Sequence, residues 1–232
     1  MADDKTPESV LVLKRCRTED AGHVFGLRGG DILLGVNGTA WRGSVAALQK
    51  RILQHPAPSA LSFQRKDAVF TILTDRADLG QWQAEPVPQT LAALPDTPET
   101  LRNWEIVASP RGGHDLFSTA PSLLALVAPP IWLAQSRLWS GLALFVAVCA
   151  LGLPVGWPLI GCVWLAAGLH LWRNGVQHQR LALQLEGYSR AAIIAAASEA
   201  SAMAGWRALN PNARFRFAAP PAPAKQPASE LG

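Results

Sequence analysis

Five histidines and three cysteines are the side chains of this 232-residue chain from which a metal site or a redox centre would be assembled. His170 and His178 stand eight positions apart, too far for the i, i+4 histidine pair of a zinc protease helix, and no HExxH is present. His23, His55 and His114 are scattered, with no carboxylate or cysteine at ligand spacing. Cys16, Cys149 and Cys162 form neither a CxxC nor an even-numbered framework, which predicts free thiols and a reducing compartment. Between residues 116 and 172 no serine has a GxSxG setting and no aspartate occurs, so serine and aspartyl mechanisms and a proton-relay transporter all lack their central part. The pattern reads as a chain that is not an enzyme, with no cofactor and no metal.

A different chemistry, capture of an extended peptide, has better support. Val10-Leu11-Val12-Leu13 is a β-branched-rich run that predicts a strand. Gly26-Leu27-Arg28-Gly29-Gly30-Asp31 predicts a turn, Ile32, Leu34 and Val36 alternate as one strand face, and Asn37-Gly38 is a hairpin signal. Ser44 is placed to cap a helix running to about Gln54, with Val45, Leu48 and Ile52 along one side. Residues 61–65 and 68–73 predict two closing strands around Lys66-Asp67.

GLRGGDILLGVNG resembles the signature of PDZ domains, and the order strand, signature, strand, helix, strand, strand agrees with it over residues 9–75. The resemblance implies a groove in which a peptide adds to a sheet edge beside a helix. Its peptide-binding residues here would be Val10, Leu11, Val12 and Leu13 on the edge and Val45, Leu48 and Ile52 on the helix. The loop before the first groove strand departs from the family, because Asp4-Lys5-Thr6-Pro7-Glu8 lacks the glycine-hydrophobic pattern and would repel a terminal carboxylate.

Residues 116–172 contain one charged residue, Arg137, and Pro129-Pro130, Pro154 and Pro158 divide the run. The expectation is a transmembrane hairpin of helix A (130–153) and helix B (158–174), preceded by an interfacial segment (116–128). A 24-residue helix A would be roughly 36 Å long, enough to cross ~30 Å of hydrocarbon. Trp132, Trp139, Trp157 and Trp172 fit an aromatic belt, and Ala143, Ala147, Ala150, Gly161 and Gly168 offer small surfaces for close packing or a homo-oligomer through helices A and B. Residues 1–115 carry 13 Lys and Arg against 14 Asp and Glu, while residues 173–232 carry 7 against 3. The basic surplus beyond the hairpin, and the absence of a signal peptide, predict a two-pass inner-membrane protein with both termini cytoplasmic and membrane lipid as partner, without nucleic-acid binding.

The whole is expected to be α+β. Residues 1–9 form a flexible lead, 10–75 a PDZ-like β-barrel or sandwich with one or two helices, and 76–115 a Pro/Gly-rich linker. The membrane region covers 116–174, a cytoplasmic amphipathic helical tail 175–210, and a disordered Pro/Ala tail 211–232. Leu181, Leu185 and Tyr188 give the amphipathic spacing, Gly187 is placed to end that helix, and 191–197 fits strand or helix equally. Arg137-Leu138-Trp139 and the stretch from Gly187 to Ala202 resemble a family of small two-helix bacterial inner-membrane proteins with no assigned activity. The expected function is a membrane-tethered module that recruits a protein partner through the PDZ-like groove. The alternatives are a structural two-helix protein without peptide binding and a non-catalytic subunit of a membrane protease.

Overall fold

The computed structural model describes residues 9–95 and 100–216. Of the expected lead, residues 1–8, with the acidic loop 4–8, and of the expected tail, residues 217 onward, lie outside the described residues. The chain is α+β, with two sheets and a helical insertion. In order, its elements are β1 (Ser9–Arg15), α1 (Ala21–Val24), β2 (Ile32–Val36), β3 (Thr39–Ala40), α2 (Val45–Gln54), β4 (Ser59–Arg65), β5 (Ala68–Thr74) and β6 (Gln81–Pro86). These are followed by β7 (Arg102–Ala108), β8 (Gly113–Ser118), α3 (Leu123–Val127), α4 (Pro129–Gln135), α5 (Trp139–Gly152), α6 (Trp157–Leu185), β9 (Ser189–Ala196), α7 (Glu199–Leu209) and β10 (Arg214–Phe215).

The first sheet runs β5-β4-β2-β1-β6, with β3 folded back on β2. Asn37 and Gly38 both take positive φ at the β2–β3 turn, the pairing that a tight hairpin demands, and Asn37 Oδ1 accepts from the Ala60 amide at 2.7 Å. Helix α2 starts at Ser44, whose hydroxyl accepts from the Ala47 amide, and it lays Leu48 and Ile52 into a core with Leu13, Leu33, Leu61, Phe63 and Ile72. Asp31 is fully buried and receives both the Nε and the Nη2 of Arg65 at 2.7 Å and the Arg28 amide at 2.8 Å. The carboxylate of the glycine-rich turn is therefore a lock on that turn.

Residues 76–115, expected as a linker, supply three strands. Gln64, itself buried, holds the crossing between β6 and β7 by donating to the Thr90 carbonyl and accepting from the Ala92 amide. Strands β7 and β8 begin a second sheet, ordered β10-β8-β7-β9, in which β9 returns after all the intervening helices. Residues 191–196 thus resolve as strand, with 197 beyond its end: Ile193, Ile194, Ala195 and Ala196 are buried on both sides of β9, which explains why their sequence shows no alternation. Helix α7 covers this sheet, its Ala202 and Trp206 joining Ile106, Ile194 and Phe215. β10 lies within 211–232, expected as disordered tail.

The transmembrane hairpin is corrected. No helix among the described residues is long and apolar enough to cross a membrane, so the two-pass inner-membrane topology with cytoplasmic termini falls with it. Helix A is two helices. α4 closes at Ser136 with Arg137 in the left-handed region (φ 58°), the Leu138 amide bonding to the Leu133 carbonyl and the Arg137 amide to that of Ala134. That closing motif ordinarily uses glycine, and here an arginine takes its place. The remaining α5 has 14 residues and is about 21 Å long, short of the ~30 Å a span needs. Helix α6 has the opposite shortcoming: its 29 residues run on past Trp172 through Arg173, Asn174, His178 and Arg180. It ends at Gly187 (φ 86°), where the Tyr188 amide reaches the Leu183 carbonyl.

The small residues of α6 are used otherwise than for pairing helices A and B. A Cβ on Gly168 would meet the Leu126 carbonyl oxygen of α3 at 2.4 Å, and one on Gly175 the Trp132 ring at 2.8 Å, while Gly161 faces open space. Ala143, Ala147 and Ala150 are exposed.

Candidate functional site

The expected peptide groove exists as a juxtaposition of β1 and α2, but it is filled. Val10, Leu11, Val12 and Leu13 pair antiparallel with Glu85, Ala84, Gln83 and Trp82 of β6, so the edge of β1 away from β2 is already hydrogen-bonded. Trp82 anchors that strand by stacking on Phe63 at 6.2 Å between ring centres. Val10, Leu11 and Leu13 are buried, as are Leu48 and Ile52, and Val45 is half-buried. These residues form a core. An added strand meets no free edge on β1, because the chain's own residues 81–86 occupy it.

A different surface is open. Helices α5 and α6 project as an arm from a small root core of Ala125, Trp132, Leu133, Leu138 and Leu171. Helix α5 is apolar on every side, with no polar face for water. Trp139, Leu144, Val146 and Leu151 are each more than half exposed, and Leu153, Val155 and Trp157 carry the exposure across the turn. Exposed apolar residues scattered singly need no explanation, whereas contiguous clusters are a recurring feature of interaction surfaces.

Along the arm lies a groove of about 600 Å³. Its floor and walls include Leu138, Phe145, Val148, Val163, Ala167 and Leu171, and its polar side chains are Ser140, His170 and His178, with no Asp, Glu, Lys or Arg. His170 Nε2 and His178 Nε2 are 2.9 Å apart, bridging the eight positions between them across two turns of α6. Burial, and then the neighbouring His170, hold His178 below the usual imidazole range.

The arm's root is fastened by a charge cluster. β-strand alternation turns Glu105 to the sheet face opposite Ile106, where it is almost wholly buried. Arg180 of α6 donates to both its oxygens at 2.6–3.0 Å, and Arg190 of β9 donates to Oε1 at 2.8 Å. Beside it Gln179 donates to Ser136 Oγ at 3.0 Å. A polar cavity of about 390 Å³ adjoins this root, lined by Asp115, Arg137, Glu186 and Glu199. Burial pushes the Asp115 carboxyl above its ordinary value, opposed by the Leu116 amide.

Sequence reasoning singled out the apolar stretch and the two histidines but missed Glu105, Arg180, Arg190 and Gln179. Their partners lie more than forty positions away, and isolated charges at such separations leave no periodic trace. Among the described residues no three His, Cys, Asp or Glu side chains gather as a metal site. In comparisons with known proteins, no family model, curated protein or solved structure matches this chain.

Proposed function

We propose that the chain is a non-catalytic binding protein whose working surface is the α5–α6 arm, held out from a two-sheet body. The observation that carries this reading is that α5 has no polar face and leaves Trp139, Leu144, Val146 and Leu151 exposed, although its Leu142 and Phe145 pack on the root. A helix of that kind is stable when something covers it. The filled edge of β1 supports the same reading, since strand addition would first have to displace β6. The buried Glu105–Arg180 clamp fits the role as well, fixing the arm's root to the body.

The reading is tested with a double variant, Leu144→Glu and Leu151→Glu, at two exposed positions. The wild-type chain is expected to bind an apolar fluorescent dye and to scatter light at micromolar concentration. The variant is expected to lose both properties while unfolding at the same temperature. Equal dye binding by the two proteins would overturn the reading.

A further inference from the structure

A third side chain, Asn174, stands beside the two histidines of the groove. Asn174 Nδ2 donates to the His170 backbone carbonyl at 3.1 Å and lies 3.4 Å from His170 Nδ1. An amide NH2 has only protons to give, so in the arrangement where Asn174 also bonds His170 Nδ1 the ring proton sits on Nε2. That Nε2–H donates to His178 Nε2 across 2.9 Å. His178 therefore carries its own proton on Nδ1, and this N–H has no hydrogen-bond partner among the described residues. His178 thus lines, in that arrangement with an N–H to give, a trough whose other walls are almost entirely hydrocarbon and carry no charge.

A ligand matched to this trough brings a slender apolar chain and one hydrogen-bond acceptor. We propose that the α5–α6 groove binds the hydrocarbon chain of a monomeric single-chain acyl compound, whose carbonyl or carboxylate oxygen accepts from His178 Nδ1. The inference rests on the reading of the arm as a binding surface and names the chemistry of its occupant. A volume of about 600 Å³ falls within the range of sites that enclose small ligands, roughly 300–1,000 Å³. A docked protein helix is less well matched, because such interfaces carry a polar rim and this lining has no charged residue.

The test is titration calorimetry of the full chain with sodium dodecanoate below its micelle concentration. Comparison ligands are sodium decanoate, dodecyltrimethylammonium and phosphatidylcholine vesicles, and sedimentation velocity reports the oligomeric state. One dodecanoate is expected to bind per chain and to saturate. Decanoate should bind more than tenfold more weakly, since each buried methylene is worth about fourfold in affinity. Dodecyltrimethylammonium, which has no acceptor, should also be at least tenfold weaker. His178→Phe keeps the apolar wall and removes the N–H, and is expected to weaken dodecanoate at least tenfold. Leu144→Glu, at an exposed position of the lining, should abolish binding. The proposal is overturned by absence of saturable binding, by equal affinity in His178→Phe, by uptake onto vesicles alone, or by a wild-type dimer that Leu144→Glu dissolves without any dodecanoate binding. If the arm double variant loses dye binding while the wild type takes up no dodecanoate, the arm stands as a binding surface and only the acyl occupant is refuted.

Discussion

Glu105 is the residue on which the arm's attachment turns. Its carboxylate has given up its water, and two guanidiniums about one-third exposed replace it. Removing one partner of a buried ion pair leaves the other uncompensated, at a cost of roughly 3–5 kcal/mol. Glu105→Gln is therefore expected to destabilise the chain by about 3 kcal/mol in denaturant unfolding, although it leaves the shape of the site unchanged. Asp115 acts in the opposite direction. Burial raises its folded-state pKa above the ordinary carboxyl value, so the folded chain holds that proton more tightly than the unfolded one. Its contribution is fully present below the unfolded value and is lost as pH rises through the folded one. Asp115→Asn is expected to match the wild type in unfolding midpoint near pH 3 and to exceed it near pH 7. Cys16 tests burial by reactivity: desolvation, with Asp20 and Asp31 nearby, pushes its thiol up to about 11. At pH 8 about one Cys16 in a thousand is thiolate. Alkylation followed by mass spectrometry should modify exposed Cys162 first and leave Cys16 largely intact. Equal rates would show that the Cys16 thiol is not held in this environment.

At the scale of elements, β6 and α5 decide how the sequence is to be read. The β1 run, the glycine turn, the Asn37-Gly38 hairpin and the Ser44 cap were all legible because each rests on local chemistry within a few residues. β6 was not legible. Gln81-Trp82-Gln83-Ala84-Glu85-Pro86 has no apolar alternation, and it is a strand because β1 offers an open edge and Phe63 a stacking partner for Trp82. Trp82→Ala is expected to cost about 2 kcal/mol and to speed hydrogen exchange of the β1 amides. Unchanged exchange would mean that β6 does not close that edge. The apolar stretch around α5 was conspicuous in the sequence, but its length was misjudged. Nothing in the composition announces that Arg137 will adopt a left-handed conformation and end α4, so one helix of 24 residues was expected where there are two of 7 and 14. The second sheet was illegible for a topological reason, since β8 and β9 are separated by the whole helical insertion and still share β7.

In the whole molecule the two-sheet body is the platform from which the proposed binding arm is held. Three cores hold it together: one under α2, one between α7 and the second sheet, and one at the arm's root. The two sheets are joined where Asn103 donates to the Leu73 carbonyl and accepts from its amide, as a neighbouring strand would, and where the Ile193 amide reaches the Phe25 carbonyl. None of these cores extends to α5 beyond its first turns. The most direct measurement is carbene footprinting of the full chain in buffer, read residue by residue over 139–165. Heavy insertion is expected at Leu144, Val146 and Leu151, with Leu142 and Phe145 protected where α5 packs on the root and on α6. Protection of Leu144, Val146 and Leu151 as well would show that the arm is already covered and would contradict the claim that it is the open binding surface.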